Sequence, residues 1–517
     1  MKRIISVPDH HLSVVGHHTV SDTPSSPRDA IRSPDRISEF KPTIAGLGAP
    51  AKTFVFPTEP GKVAMIPSIT FSPRVLSSGA TLFDVTFSMR LITGETHEFN
   101  IFLPPLSVSR SIDYDAIQRQ SLDRTREDGI YADRNAILGL QRTGTAYLVA
   151  VTYPAFSQAL ARQATIDMNN LFCTDDYADG NTSATSTHIA ESTNRTIELL
   201  TRLSRLPDHR SDALATALDQ FTTPLDTPQN LAYARAFIDQ IALLAPLGII
   251  PRESLGSLRS YFRAVRTEKD HEETGRIPSE GVNKLIRADA SGAYHAIEKG
   301  AEFLGVDFLS IERKYSPILD LKRLVANCVE YSNDVYSLTK EHLVFVDKLL
   351  TDEGGDLTRQ AGRTADIKRH GLTDPDLLSR LRSVVAFSLP HIKWQTGATP
   401  DLVTAIRASI DEHNVLMNDY FSLKMTLETD INSEATHLEA SIAIQSGEAQ
   451  AASRDLLREL REDHAQIQTY YTVFEGWLAH GWWAFSVPRY NLGITECDHD
   501  RLIQLVGAQE SLGTGTL

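Results

Sequence analysis

Cysteine is nearly missing from this chain of 517 residues: Cys173, Cys328 and Cys497 are the only three, scattered and with no CxxC pair. Such a set supports neither a disulfide framework nor a zinc site, and it points to a reducing, cytoplasmic compartment. Long apolar runs are also lacking. The best, IALLAPLGII at 241–250, contains a proline and falls short of the ~18 residues that span a bilayer, so no stable membrane insertion is expected. The start, MKRIISVPDHH, is basic, but its apolar stretch breaks too soon for a secretory signal. Positive charge is in deficit, with 51 Lys and Arg against 66 Asp and Glu and a formal net charge of −15. That balance, without long single-sign runs, argues against nucleic acid as a partner.

What is present divides the chain unevenly. Residues 1–60 carry Pro8, Pro24, Pro27, Pro34, Pro42 and Pro50 among polar residues with no sustained period, and read as a flexible tail. The DHH and GHH pairs within it have no acidic or cysteine companions at ligand spacing and read as solvated loop. In 61–103 the pattern changes: Val85, Phe87, Met89 and Leu91 alternate with polar residues, TGET turns the chain, and HEFNIF alternates again. That predicts a β-hairpin, which is marginal alone and should dock on something larger. Residues 104–500 read almost wholly as helix, with segments predicted at 156–178, 188–205, 228–245, 278–304, 316–350, 401–428 and 450–486. Looser stretches fall at 353–377 and 431–450, and 501–517 reads as a C-terminal tail.

Two clusters carry chemistry. In YSNDVYSLTKE, helical spacing places Asn333, Ser337 and Glu341 at i, i+4 and i+8 on one face, with Asp334 and Lys340 beside them. One helix offers a hard cation too few oxygens, so a partner cluster is expected. NNLFCTDDYADG supplies one: Asp175 and Asp179 stand at i and i+4 at the end of an apolar helical run, with Asp176 adjacent. Two carboxylates on one face repel unless a cation or solvent screens them, which makes the pair a metal signal, although acidic pairs of this kind are also common on plain surfaces. Two decoys are set aside. NDYFSLKMT at 418–426 has Thr426 where a carboxylate is needed, and the glycines of DEGGD at 352–356 oppose the helix that would align its acids.

DDxxD followed by NDxxSxxKE resembles the two metal-binding motifs of class I terpene synthases of the microbial type. Two more elements stand in the expected order: Arg287, 46 positions before Asn333, is similar to the family's diphosphate-sensing arginine, and Arg489-Tyr490 resembles its C-terminal Arg-Tyr pair. FNIFLPPLSVSRSIDYDAIQ is similar to the family's lead into its first helix, so the resemblance covers about residues 100–495. It implies an all-α class I terpenoid synthase bundle in 104–500. The 148 positions from Glu341 to Arg489 exceed the family's usual interval, which places insertions near 353–377 and 400–460. Ser291 and Gly292 are both candidates for the family's small effector residue.

By the same resemblance, Asp175, with Asp176 and Asp179 in its motif, would hold two Mg²⁺ ions, and Asn333, Ser337 and Glu341 a third, with Mn²⁺ a possible substitute. Arg287, Lys340, Arg489 and Tyr490 would bind the diphosphate. Phe172 and Trp483 are the leading candidates for aromatic walls facing a carbocation, with Trp477, Trp482 and Phe485 behind them, although aromatics near a core usually only pack. The implied reaction is cyclisation of a linear prenyl diphosphate, farnesyl diphosphate giving a sesquiterpene, by a monomer or homodimer. The alternatives are a longer prenyl diphosphate giving a diterpene or sesterterpene, a chain-elongating prenyltransferase, and a non-catalytic helical scaffold. An Asn-Asp-Ser-Glu second motif favours cyclisation over elongation, and the lack of a DxDD motif gives no support to protonation-initiated cyclisation.

Overall fold

The computed structural model describes residues 51–58, 60–109, 111–130, 134–180, 185–274, 286–352, 366–367, 370–378, 402–495 and 499–507. Four antiparallel strands come first: β1 (Lys52–Val55), β2 (Ser68–Val75), β3 (Thr81–Arg90) and β4 (Thr96–Leu103), hydrogen-bonded in that order. The expected hairpin is β3 and β4, paired Phe87 to Phe99 and Val85 to Ile101 around a turn with Gly94 at φ 86°. It is part of a larger sheet. β1 lies inside the stretch expected to be tail, where four residues are too few to show a period. β2 carries Pro73, but β1 pairs only as far as Phe71, so the missing N–H falls where β2 has no neighbour on that side among the described residues.

Fifteen named helices follow among the described residues. They are α1 (Tyr114–Glu127), α2 (Arg134–Thr143), α3 (Thr145–Thr152), α4 (Gln158–Gly180), α5 (Ser186–Ser204), α6 (Ser211–Phe221), α7 (Pro228–Leu244), α8 (Leu255–Thr274) and α9 (Ala293–Phe303). Then come α10 (Phe308–Lys314), α11 (Ser316–Asp352), α12 (Leu402–Ile444), α13 (Gly447–Leu478), α14 (Gly481–Ser486) and α15 (His499–Gly507). The helical bundle matches the expected all-α class, with the sheet against its flank. No described helix is long and apolar enough to cross a membrane.

Three expectations change. Residues 431–450 are not loose: α12 runs unbroken to Ile444, and Ile431 and Leu438 are buried against its neighbours. The predicted helix at 278–304 is interrupted, since residues 286–290 are helical but Gly292 sits at φ 70° and α9 restarts at Ala293. Residues 501–507 are not tail: Leu502 and Val506 are buried, and Lys52 donates to the Leu505 carbonyl at 2.9 Å. The greater part of 353–377 lies outside the described residues, while Ile367, Leu372 and Leu377 form a small core with Ile92, Leu343 and Val346.

Candidate active site

On α4, Met168, Phe172 and Asp175 recur at helical spacing and share one face; on α11, Val329, Asn333 and Ser337 do the same. Both faces line one cavity of about 150 Å³. Along each helix an apolar residue precedes the polar ones by one turn. The break between 290 and 293 brings Arg287, Ser291 and Gly292 to the same cavity, and α13, α14 and the segment after them bring Trp477, Trp483 and Tyr490. The left-handed backbone at Gly292 suits glycine, with the Tyr261 ring 3.6 Å from where a Cβ would stand.

Charge is arranged in pairs around this cavity. The Arg287 guanidinium donates to Asp334 and, at 3.1 Å, to Glu268, so the second residue of the Asn-Asp motif faces an arginine. Arg489 donates to both oxygens of Asp176 at 2.7 and 3.2 Å, lies 3.6 Å from Asp175, and has its guanidinium 5.0 Å from the Phe172 ring centre. Burial works against the Arg489 charge, but the Asp176 carboxylate and its other neighbours outweigh it and hold the pKa above the usual arginine value. Burial also pushes the Tyr490 phenol up to about 12, against the pull of Arg489, so the group remains a proton donor at neutral pH.

Aromatic rings form the apolar wall. Trp483 lies 6.1 Å from Phe172 and 5.2 Å from Tyr490, centre to centre, and its indole N–H donates to the carbonyls of Thr143 and Gly144 at 2.9 and 3.1 Å. Trp477 also lines the cavity. Trp482 and Phe485 face elsewhere: Trp482 packs edge-on against Phe71 and Phe83 of the sheet, and Phe485 lies against Phe87 and Tyr336. Successive residues of a short helix point to different sides, which the sequence pattern did not separate.

The structure thus brings together Phe172, Asp175, Arg287, Ser291, Gly292, Asn333, Ser337, Trp483 and Tyr490, with Asp176 and Arg489 paired beside them. The side chains of Asp179, Lys340 and Glu341 lie outside the described residues. Tyr261 and Glu268 of α8 and His480 also line the cavity and were missed. Glu268 had a signal, since it continues the buried spacing of Leu258, Tyr261 and Val265. The decoy at 418–426 does not line this cavity; Tyr420 is buried, and Lys424 pairs with Glu475.

The sequence matches no family model and no curated protein. Among solved structures the chain is similar to a-eudesmol synthase, with 17% identity over 62% of this chain and 97% of the other and a TM-score of 0.37. It is also similar to linalool/nerolidol synthase from Streptomyces clavuligerus in complex with 2-fluorogeranyl diphosphate, with 13% identity over 74% and 97% and a TM-score of 0.39. A third is the SVS_A2 protein from ancestral sequence reconstruction, at 14%, 63%, 90% and 0.35.

Proposed function

We propose that this chain is a Mg²⁺-dependent class I terpene cyclase that ionises a linear prenyl diphosphate, farnesyl diphosphate, releases diphosphate and cyclises the carbocation, which gives a neutral sesquiterpene on loss of a proton or capture of water. One observation carries the reading: a single cavity joins oxygen donors from two helices, Asp175 with Asn333 and Ser337, to a guanidinium and to an aromatic wall. A carboxylate, an amide oxygen and a hydroxyl are hard donors suited to Mg²⁺. Asp175 and Asp179 on α4, and Asn333, Ser337 and Glu341 on α11, are the residues proposed to hold it. When bound, Mg²⁺ neutralises charge on the leaving diphosphate as a Lewis acid.

The chain's own residues do the rest. Arg287, Lys340 and Arg489 donate charge-assisted hydrogen bonds to phosphate oxygens, the arginines as forks and the lysine as a point charge. The Tyr490 hydroxyl, kept protonated by burial, adds a neutral donor. Asp334 and Asp176 orient the two guanidinium groups before substrate arrives. Phe172 and Trp483 then face the cation, which an aromatic ring stabilises by up to about 2 kcal/mol when desolvated and does not trap.

The test is incubation of the purified protein with C10, C15, C20 and C25 prenyl diphosphates and Mg²⁺, followed by gas chromatography of the extract. Cyclic C15 products with diphosphate release are expected. Adding isopentenyl diphosphate and recovering longer linear chains would point to elongation instead, and no diphosphate release from any substrate would overturn the reading.

A further inference from the structure

Arg489 and Tyr490 sit on a strap, residues 487–495, that follows α14 without regular secondary structure. Irregular backbone that is buried must find partners for its N–H and C=O groups. This strap finds them in the connection between β1 and β2. Asn491 is wholly buried, and its side-chain amide pairs with both backbone groups of Ile66: Oδ1 accepts from the Ile66 N–H at 2.9 Å and Nδ2 donates to the Ile66 carbonyl at 2.8 Å. Its second amide hydrogen reaches the Phe485 carbonyl at 3.0 Å, which ties the strap back to α14. Met65 N–H donates to the Leu492 carbonyl at 2.8 Å, and Thr495 N–H to the Pro57 carbonyl at 3.1 Å. Gly493, at φ 94°, lies so close to the Val63 carbonyl that a Cβ would collide. Trp482 packs on Phe71 and Phe83 while the next residue, Trp483, lines the cavity, so the sheet also braces α14.

We propose that the N-terminal sheet is a positioning element of the active site, with Asn491 as the positioning residue that holds Arg489 and Tyr490 in place through Ile66. Asn491 touches no substrate in this scheme. A side-chain amide that imitates a neighbouring strand fixes distance and angle at once, which a single hydrogen bond does not. The sheet therefore does more than cover the bundle. The functional half of this inference rests on the diphosphate role proposed for Arg489.

The test uses the full chain with Asn491→Ala, the uncharged polar variant Asn491→Ser, and Asn414→Ala as a control. Ser brings no charge into this buried place and retains one hydroxyl that can donate or accept. Asn414 bonds β4 to α12, accepting from Phe102 N–H at 2.8 Å, and does not touch the strap. Amide hydrogen exchange should speed up at residues 487–492 in Asn491→Ala, to a lesser degree in Asn491→Ser, and not in Asn414→Ala. Mg²⁺-dependent binding of inorganic diphosphate should weaken about tenfold in Asn491→Ala, and hold in the control. Should Asn491→Ala not fold, Asn491→Ser decides by the same two readouts. Unchanged exchange at the strap overturns the inference. Faster exchange in a protein whose wild type binds no diphosphate keeps the clamp and removes the cyclase reading.

Discussion

Arg489 holds Asp176 in a forked ion pair, 2.7 and 3.2 Å, across the 313 residues that separate them in the chain. Lysine cannot make a fork, and the half-buried Asp176 carboxylate would lose one of its two bonds to a guanidinium that is itself buried. Arg489→Lys should therefore lower kcat/KM for the prenyl diphosphate about ten- to hundredfold, with KM rising. Steady-state kinetics of diphosphate release check this, and an unchanged kcat/KM would remove Arg489 from the site.

Asp175 and Asn333 reach one cavity from different helices. If they hold the same bound group, Asp175→Ala and Asn333→Ala should each abolish diphosphate release while far-UV circular dichroism stays as in the wild type. A double variant should be no worse than either single one, because residues acting as a unit are not additive. Normal cyclisation by either single variant would defeat the assignment.

Four buried histidines among the described residues make stability depend on pH. Burial lowers the pKa of His295 and His342 to about 3 and of His480 to about 4, all from 6.5, and lowers that of His413 as well. Above 6.5 neither state is protonated at these groups; below it the unfolded chain takes protons that the folded chain refuses. Their contribution is therefore present above 6.5 and is lost as pH falls through 6.5 toward the folded values, at up to about 1.4 kcal/mol per pH unit for each. Urea midpoints should drop between about pH 7 and pH 5. The slope should be shallower in His342→Gln by one proton, and equal slopes would contradict the burial of His342.

Gly476 on α13 faces the backbone of Thr152 at the end of α3, and a Cβ there would overlap the Thr152 carbonyl. Alanine favours a helix by up to about 1 kcal/mol over glycine, but overpacking at a crossing costs more. Gly476→Ala should lose about 1–3 kcal/mol net in chemical unfolding. Gly139→Ala on α2, with nothing within 4 Å of its Cβ, should be neutral or stabilising, and equal effects at the two positions would contradict the crossing.

Much of this was legible in order of residues because helical spacing is a local property. Asn333 and Ser337 share a face whatever surrounds them, and Phe172 precedes Asp175 by about one turn in any helix of that sequence. The alternation of Val85, Phe87 and Met89 likewise specified a strand. Short or interrupted pieces were not legible. β1 has four residues, and the break before α9 shows only in the backbone, where Gly292 takes φ 70°.

By itself the sequence determined which side chains lie on each face of α4 and α11, since periodicity of 3.6 needs no neighbours. The tertiary structure alone decided that those two faces meet at one cavity, that Trp483 lines it while Trp482 turns to the sheet, and that Asn491 ties the strap to Ile66. Those relations join residues hundreds of positions apart, and only packing that buries apolar surface and satisfies every enclosed backbone group selects among them.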